Sequence, residues 1–147
     1  MVVTNRETPA MNRQQLQQLS EVRFKEARSL MDAGFSDGAY YLAGYAVECA
    51  LKACIAKRTR EHDFPDKKLT SESYTHNLIE LMRVSQLSQA LKVAMQASSS
   101  LAYEWNIVQN WSESSRYERS GPLETQLLLE AIENQSGGLL PWIRLHW

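Results

Sequence analysis

The chain is poor in the residues that break or staple a fold. Its 147 residues include four prolines, six glycines and two cysteines. Turn signals are few, and no stretch alternates apolar and polar residues at period two, so nothing points to sheet. Cys49 and Cys54 lie on one predicted helix, roughly 140° apart around its axis. They cannot pair with each other, and they read as small buried thiols. The histidines, His62, His76 and His146, are scattered. No Cys/His/carboxylate spacing suits a metal, so no metal and no cofactor are expected. Charge is balanced as well, with 16 basic and 17 acidic side chains and a net charge of −1. The global basic excess of a non-specific DNA binder is missing. No uncharged apolar run reaches the ~18 residues of a membrane span. The opening MVVTNRETPAMN lacks the apolar stretch of a signal peptide. The cytoplasm is the expected compartment.

What the chain has is helix. The segment Ala39–Lys57, AYYLAGYAVECALKACIAK, is apolar nearly all the way round. Such a helix belongs at the centre of a bundle. It nonetheless carries Glu48 and Lys52, charges that are costly to bury unless paired. Around it the sequence predicts a loose tail over 1–11 and a single domain over 12–147. A first helix is expected from Asn12, its N-cap, to about Ala33. Leu16, Leu19, Val22, Ala27, Leu30 and Met31 form its stripe. Gly34 ends it, and Ser36 or Asp37 caps the central helix, which runs to about Lys57. Residues 58–74 are polar, contain Pro65 and read as a long loop. A third helix starts at Thr75 or His76, anchored by Leu78, Ile79, Leu81 and Met82. A fourth covers about 85–97 and a fifth about 99–111, with Ser98, Ser99 and Ser100 between them. These two could equally be one bent helix. After a polar loop over 112–121, Pro122 sits at the first turn of a last helix to about Gln135. The apolar LLPWIRLHW at the end is expected to pack. The fold class is all-α, an up-and-down bundle of four to five main helices.

Several residues invite a chemical reading. Glu48 and Lys52 stand four apart and stack on one helix face. They form a register-fixing ion pair, or Glu48 reaches His76 or Arg116 on another element. Glu48 alone is not a catalytic mechanism, since it has no second acid, metal or nucleophile. Arg116 and Tyr117 lie in a serine-rich loop near Trp111. A guanidinium reads phosphate, and an aromatic ring stacks on a base. The alternative is a structural salt bridge for Arg116 and packing for Tyr117. His76 reads as a helix-start residue behind a Thr75 cap, with a general-acid role as the sharper alternative. Lys57, Arg58, Arg60, Lys67 and Lys68 complement the dipole of the central helix, or track the phosphates of an RNA, although Glu61, Asp63 and Asp66 interrupt the patch and weaken it. Tyr40, Tyr41, Tyr45, Tyr103, Trp105 and Trp111 read as core. Ala43, Gly44, Ala46 and Ala50 would let another helix approach closely, as at a dimer face.

Three segments resemble one known family. GYAVECALKACI resembles the helix-two signature of the HEPN domain (higher eukaryotes and prokaryotes nucleotide-binding), roughly Q-A-V-E-K-A-L-K-A-L. THNLIEL at 75–81 is similar to its T-H-D-L-x-x-L, and SSRYE at 114–118 to the R-Y-P motif before its last helix. Order and spacing agree across roughly residues 13–135. Two features depart. Glu118 replaces the proline, and the R-x4–6-H motif of the nuclease branch is missing, because the next histidine after Arg116 is His146. Arg58 and His62 stand too close together and in the wrong loop. The resemblance therefore implies the branch without the ribonuclease motif and no catalytic residues. It implies a non-catalytic module binding a nucleotide, an RNA or a protein partner, with Arg116, Tyr117, Glu48, Lys52 and His76 as candidate ligand-binding residues. It further implies a homodimer, and pairing with a minimal nucleotidyltransferase in a toxin–antitoxin or stress-defence system. The alternatives are a metal-independent ribonuclease with a departed motif, or a purely structural dimeric scaffold.

Overall fold

The computed structural model describes residues 11–61 and 67–147, with the side chains of 60–67 left aside. The expected tail falls almost entirely outside this range, as does His62. Eight helices are described: α1 (Arg13–Asp32), α2 (Ser36–Glu61), α3 (Lys67–Glu72), α4 (Leu78–Val84), α5 (Ser88–Ala97), α6 (Ser99–Val108), α7 (Pro122–Ile132) and α8 (Leu139–Arg144). A 3-10 turn, Glu113–Tyr117, precedes α7. No strand occurs among the described residues. The all-α bundle is therefore the observed fold.

The local chemistry explains most boundaries. Asn12 and Gln15 make a reciprocal capping box at the start of α1. At its end the Phe35 N–H donates to Leu30 O (2.8 Å) and the Gly34 N–H to Met31 O (3.1 Å). This is a Schellman motif, and Gly34 supplies the positive φ it needs (88°). The chain turns back at once, and α1 packs along α2. Inside that contact Ser20 Oγ donates to Ala46 O at 2.7 Å. Pro122 opens α7, where its missing N–H costs nothing.

α2 is the hub, touching α1, α4, α7, α8 and the 3-10 turn. Ala43, Ala46, Val47, Ala50, Leu51 and Ala53 are fully buried. Leu139, Leu140 and Ile143 of α8 are buried too, so the apolar C-terminal segment does pack into the core.

Several expectations are corrected. The long loop at 58–74 is partly helical: α2 runs on to Glu61 and α3 follows. Thr59 Oγ1 donates to Ile55 O (3.0 Å), folding a polar side chain back onto its own helix. The cap of α4 is Asn77, whose Oδ1 accepts from the Glu80 N–H (3.0 Å). Thr75 instead accepts from the Asn77 N–H (3.1 Å). Ser85 ends α4 and does not begin α5. Gln86, with φ 58°, takes the left-handed position usually given to glycine. Ser98 is extended, and its Oγ caps α6, so α5 and α6 are two helices. Val22 and Ile79 are about half exposed, and Phe24, not Val22, fills the core face of α1. Tyr103 is exposed, not core. The small residues of α2 meet their own chain. A Cβ on Gly44 would lie 2.2 Å from three ring atoms of Trp111.

Glu104 is buried on α6 with no hydrogen bond or ion pair described for it. Burial raises its carboxyl pKa above the usual value. A raised folded-state pKa penalises the charged form. That penalty is absent below the unfolded pKa, grows as pH rises through the folded pKa, and is full at neutral pH. Glu104→Gln is therefore expected to raise Tm at pH 7. The gain should vanish near pH 3, as thermal melts across pH would show.

Candidate functional site

The site grows from the middle of α2. Glu48 faces inward and is 2% exposed. One turn later Lys52 Nζ donates to Glu48 Oε2 at 3.2 Å. The other carboxylate oxygen meets His76 Nδ1 at 3.0 Å. His76 sits in the short link that Thr75 and Asn77 shape ahead of α4. The opposite ring nitrogen, Nε2, lies 3.4 Å from Glu113 Oε2. Glu113 in turn pairs with Arg116 Nη1 at 3.4 Å through its second oxygen. A single row of polar side chains thus runs along Lys52, Glu48, His76, Glu113 and Arg116, from the buried Glu48 to the surface. A carboxylate only accepts hydrogen bonds. A neutral His76 donates to one of its two neighbours, and an imidazolium to both.

At the outer end the Arg116 guanidinium lies 4.8 Å over the Tyr117 ring, a cation–π contact. Tyr117 is 79% exposed. The Tyr41 side chain lies beside Arg116, and its ring stacks on Tyr45 and Trp111 at 6.1 Å each. Trp111, seated on Gly44, anchors the start of the 3-10 turn. Ser112 caps that turn, and Ser114 Oγ donates to Glu118 Oε1 (3.1 Å). Glu118 thereby closes the turn where the resembling motif has proline.

Beneath this row the chemistry is quiet. Burial, with Glu48 nearby, pushes the Cys49 thiol up to about 12. Burial and contact with Cys49 push Tyr45 up to about 12 as well. Neither becomes a nucleophile near neutral pH. No three His, Cys, Asp or Glu side chains among the described residues are placed to hold a metal.

All five candidate residues therefore belong to one constellation. Glu48 reaches His76 and Lys52 directly, and Arg116 only through Glu113. Glu113 escaped the sequence reading; its signal was its place three residues before Arg116. Lys57 and Arg58 are elsewhere, at the far end of α2. Arg119 lines a separate open cleft of about 490 Å³ with Ser36, Asp37 and Pro122. There the Asp37 carboxylate already accepts the Ser120 N–H at 2.6 Å.

No helix among the described residues is long and apolar enough to cross a membrane. No curated protein and no solved structure matches the chain. The family model of the HEPN domain matches residues 14–137, which include α1 from its second residue, α2, the His76 link, the 3-10 turn and α7. The chain belongs to the HEPN domain family.

Proposed function

We propose that the protein is a non-catalytic binding module that takes a nucleotide or a short RNA at Arg116 and Tyr117. One observation carries this reading. The buried Glu48 is linked through His76 and Glu113 to an exposed guanidinium lying on an exposed aromatic ring. A cation held by a row of partners suits a phosphate, and the open Tyr117 ring suits a base. Lys52, Glu48, His76 and Glu113 are positioning residues in this scheme. Both nitrogens of His76 face carboxylates, which favours positioning over proton transfer to a substrate. The protein acts as a homodimer in the cytoplasm, beside a minimal nucleotidyltransferase in a toxin–antitoxin or stress-defence pair.

Calorimetric titration with ATP, GTP and a short single-stranded RNA is the test. Saturable heat is expected for at least one of them. Arg116→Ala, still folded by its thermal melt, should weaken binding about tenfold or more, since a hydrogen bond to a charged group contributes ~1.5–3 kcal/mol. Absence of heat with all three would sink the module in favour of a scaffold. RNA cleavage in chelator, lost in Arg116→Ala, would replace it with a ribonuclease.

A further inference from the structure

A second group of cations lies at the other end of α2. Lys57 is sixteen residues beyond Tyr41 on that helix, about 24 Å along the axis at the helical rise. Among the described residues neither Lys57 nor Arg58 has a carboxylate partner. Arg13, at the start of the antiparallel α1, donates from Nη2 to the main-chain oxygen of Trp147 at 3.2 Å. Arg144 lies 5.8 Å over the Trp147 ring and holds Glu133 at 2.6 Å. The Nε donors of Arg13 and Arg144 are buried without a partner, while both side chains remain partly exposed. Trp142 and His146 pack at 4.7 Å with their rings tilted by 55°.

Burial, and then the charge of Lys57, lower the basicity of His146. Burial raises the Cys54 thiol to about 12, against an opposing pull from Lys57 and Arg13. Among the described residues the ion-paired carboxylate on this side is Glu133, and Arg144 already holds it.

We propose that this end of the bundle is a second binding surface, for single-stranded nucleic acid, with Lys57, Arg13 and Arg144 on the phosphates and the exposed parts of Trp142 and Trp147, both half-buried against the core, beside the bases. Cations alone would suit any polyanion. Tryptophans set among them, one already under a guanidinium, suit an unstacked base. A duplex hides its base faces, so a single strand is the match. The surface is separate from the Arg116 site and does not depend on it.

The test is fluorescence anisotropy with a labelled 12-nucleotide RNA and the same sequence as DNA, at low salt, with inorganic polyphosphate as competitor. Saturable binding of the single strands is expected. Lys57→Glu should raise Kd about tenfold and reduce the salt slope by about 1. Trp147→Leu should weaken the strands and leave polyphosphate binding unchanged. Lys92→Glu, an exposed change on α5, should alter nothing. Thermal melts certify that each variant is folded. Loss in both Lys57→Glu and Trp147→Leu supports the surface whatever Arg116→Ala does. If Lys57→Glu is neutral while Arg116→Ala abolishes binding, this inference falls and the Arg116 reading stands. No saturable binding overturns it, as does polyphosphate competing equally while Trp147→Leu is neutral. A difference between the two labelled strands tells RNA from DNA.

Discussion

Gly44→Ala should destabilise the protein by about 2 kcal/mol or more, although alanine is the better helix former. In a helix interior the exchange of glycine for alanine ordinarily gains about 1 kcal/mol. Here the added Cβ would fall 2.2 Å from Cδ1, Cδ2 and Cε2 of Trp111. The indole cannot simply step aside. It is 3% exposed, and Tyr41 stacks on it. Overpacking typically costs about 1–3 kcal/mol. The upper end applies, since one wall is helix backbone and the other a rigid ring.

A change of background makes the expectation sharp. Trp111→Ala alone should cost about 3–5 kcal/mol, the usual loss on truncating a buried aromatic. With the indole gone, Gly44→Ala meets nothing and its helical preference is free to act. It should then stabilise by about 1 kcal/mol. The reversal of sign is read from urea unfolding of the four proteins in the cycle. If Gly44→Ala is neutral or stabilising with Trp111 present, the ring does not rest on α2. The 3-10 turn hangs from Trp111, so the Gly44→Ala protein should also bind ligand at Arg116 more weakly.

Most of the bundle is legible in the sequence because its signals are local. The apolar circumference of α2, the Asn12 cap, Gly34 and Pro122 each act within a turn of themselves. Glu48 and Lys52 stood out because charges are unusual in so apolar a run. The misses have non-local or atypical causes. Nothing near Gly44 says that its close neighbour is Trp111, and the alanines around it suggested a second chain. Gln86 hid the end of α4 by taking a glycine's conformation. Tyr103 resembles a core aromatic in composition and differs only in facing outward on α6. Glu113 looked like one more polar residue in a serine-rich loop. Its role exists only once α2, the His76 link and the 3-10 turn come together.

Glu48→Ala should lower stability by about 3 kcal/mol. Breaking a buried ion pair from one side typically costs about 3–5 kcal/mol, because the partner charge is left uncompensated. The lower end applies here. The side chains of Lys52 and His76 are 21% and 46% exposed and can turn toward water. Glu48→Gln keeps an acceptor and the shape but removes the charge, so about 1–2 kcal/mol is expected. The loss should persist in high salt, since a pair anchored on a 2%-exposed carboxylate is poorly screened. Stability and binding should also separate along the row. His76→Ala removes the link between Glu48 and Glu113 while leaving the Lys52 pair intact. Its stability cost should be smaller than that of Glu48→Ala. Its effect on ligand binding at Arg116 should still be clear, because Glu113 then loses its tie to the core. Combining His76→Ala with Glu48→Ala should cost less than the sum of the two, since both act on one contact. Urea unfolding of the single and double variants, alongside titration of each, measures every arm. Should Glu48→Ala fall within 0.5 kcal/mol of wild type, the ordinary range for surface changes, Glu48 is not the buried anchor of the row. If His76→Ala binds as wild type does, Arg116 is held by Glu113 alone.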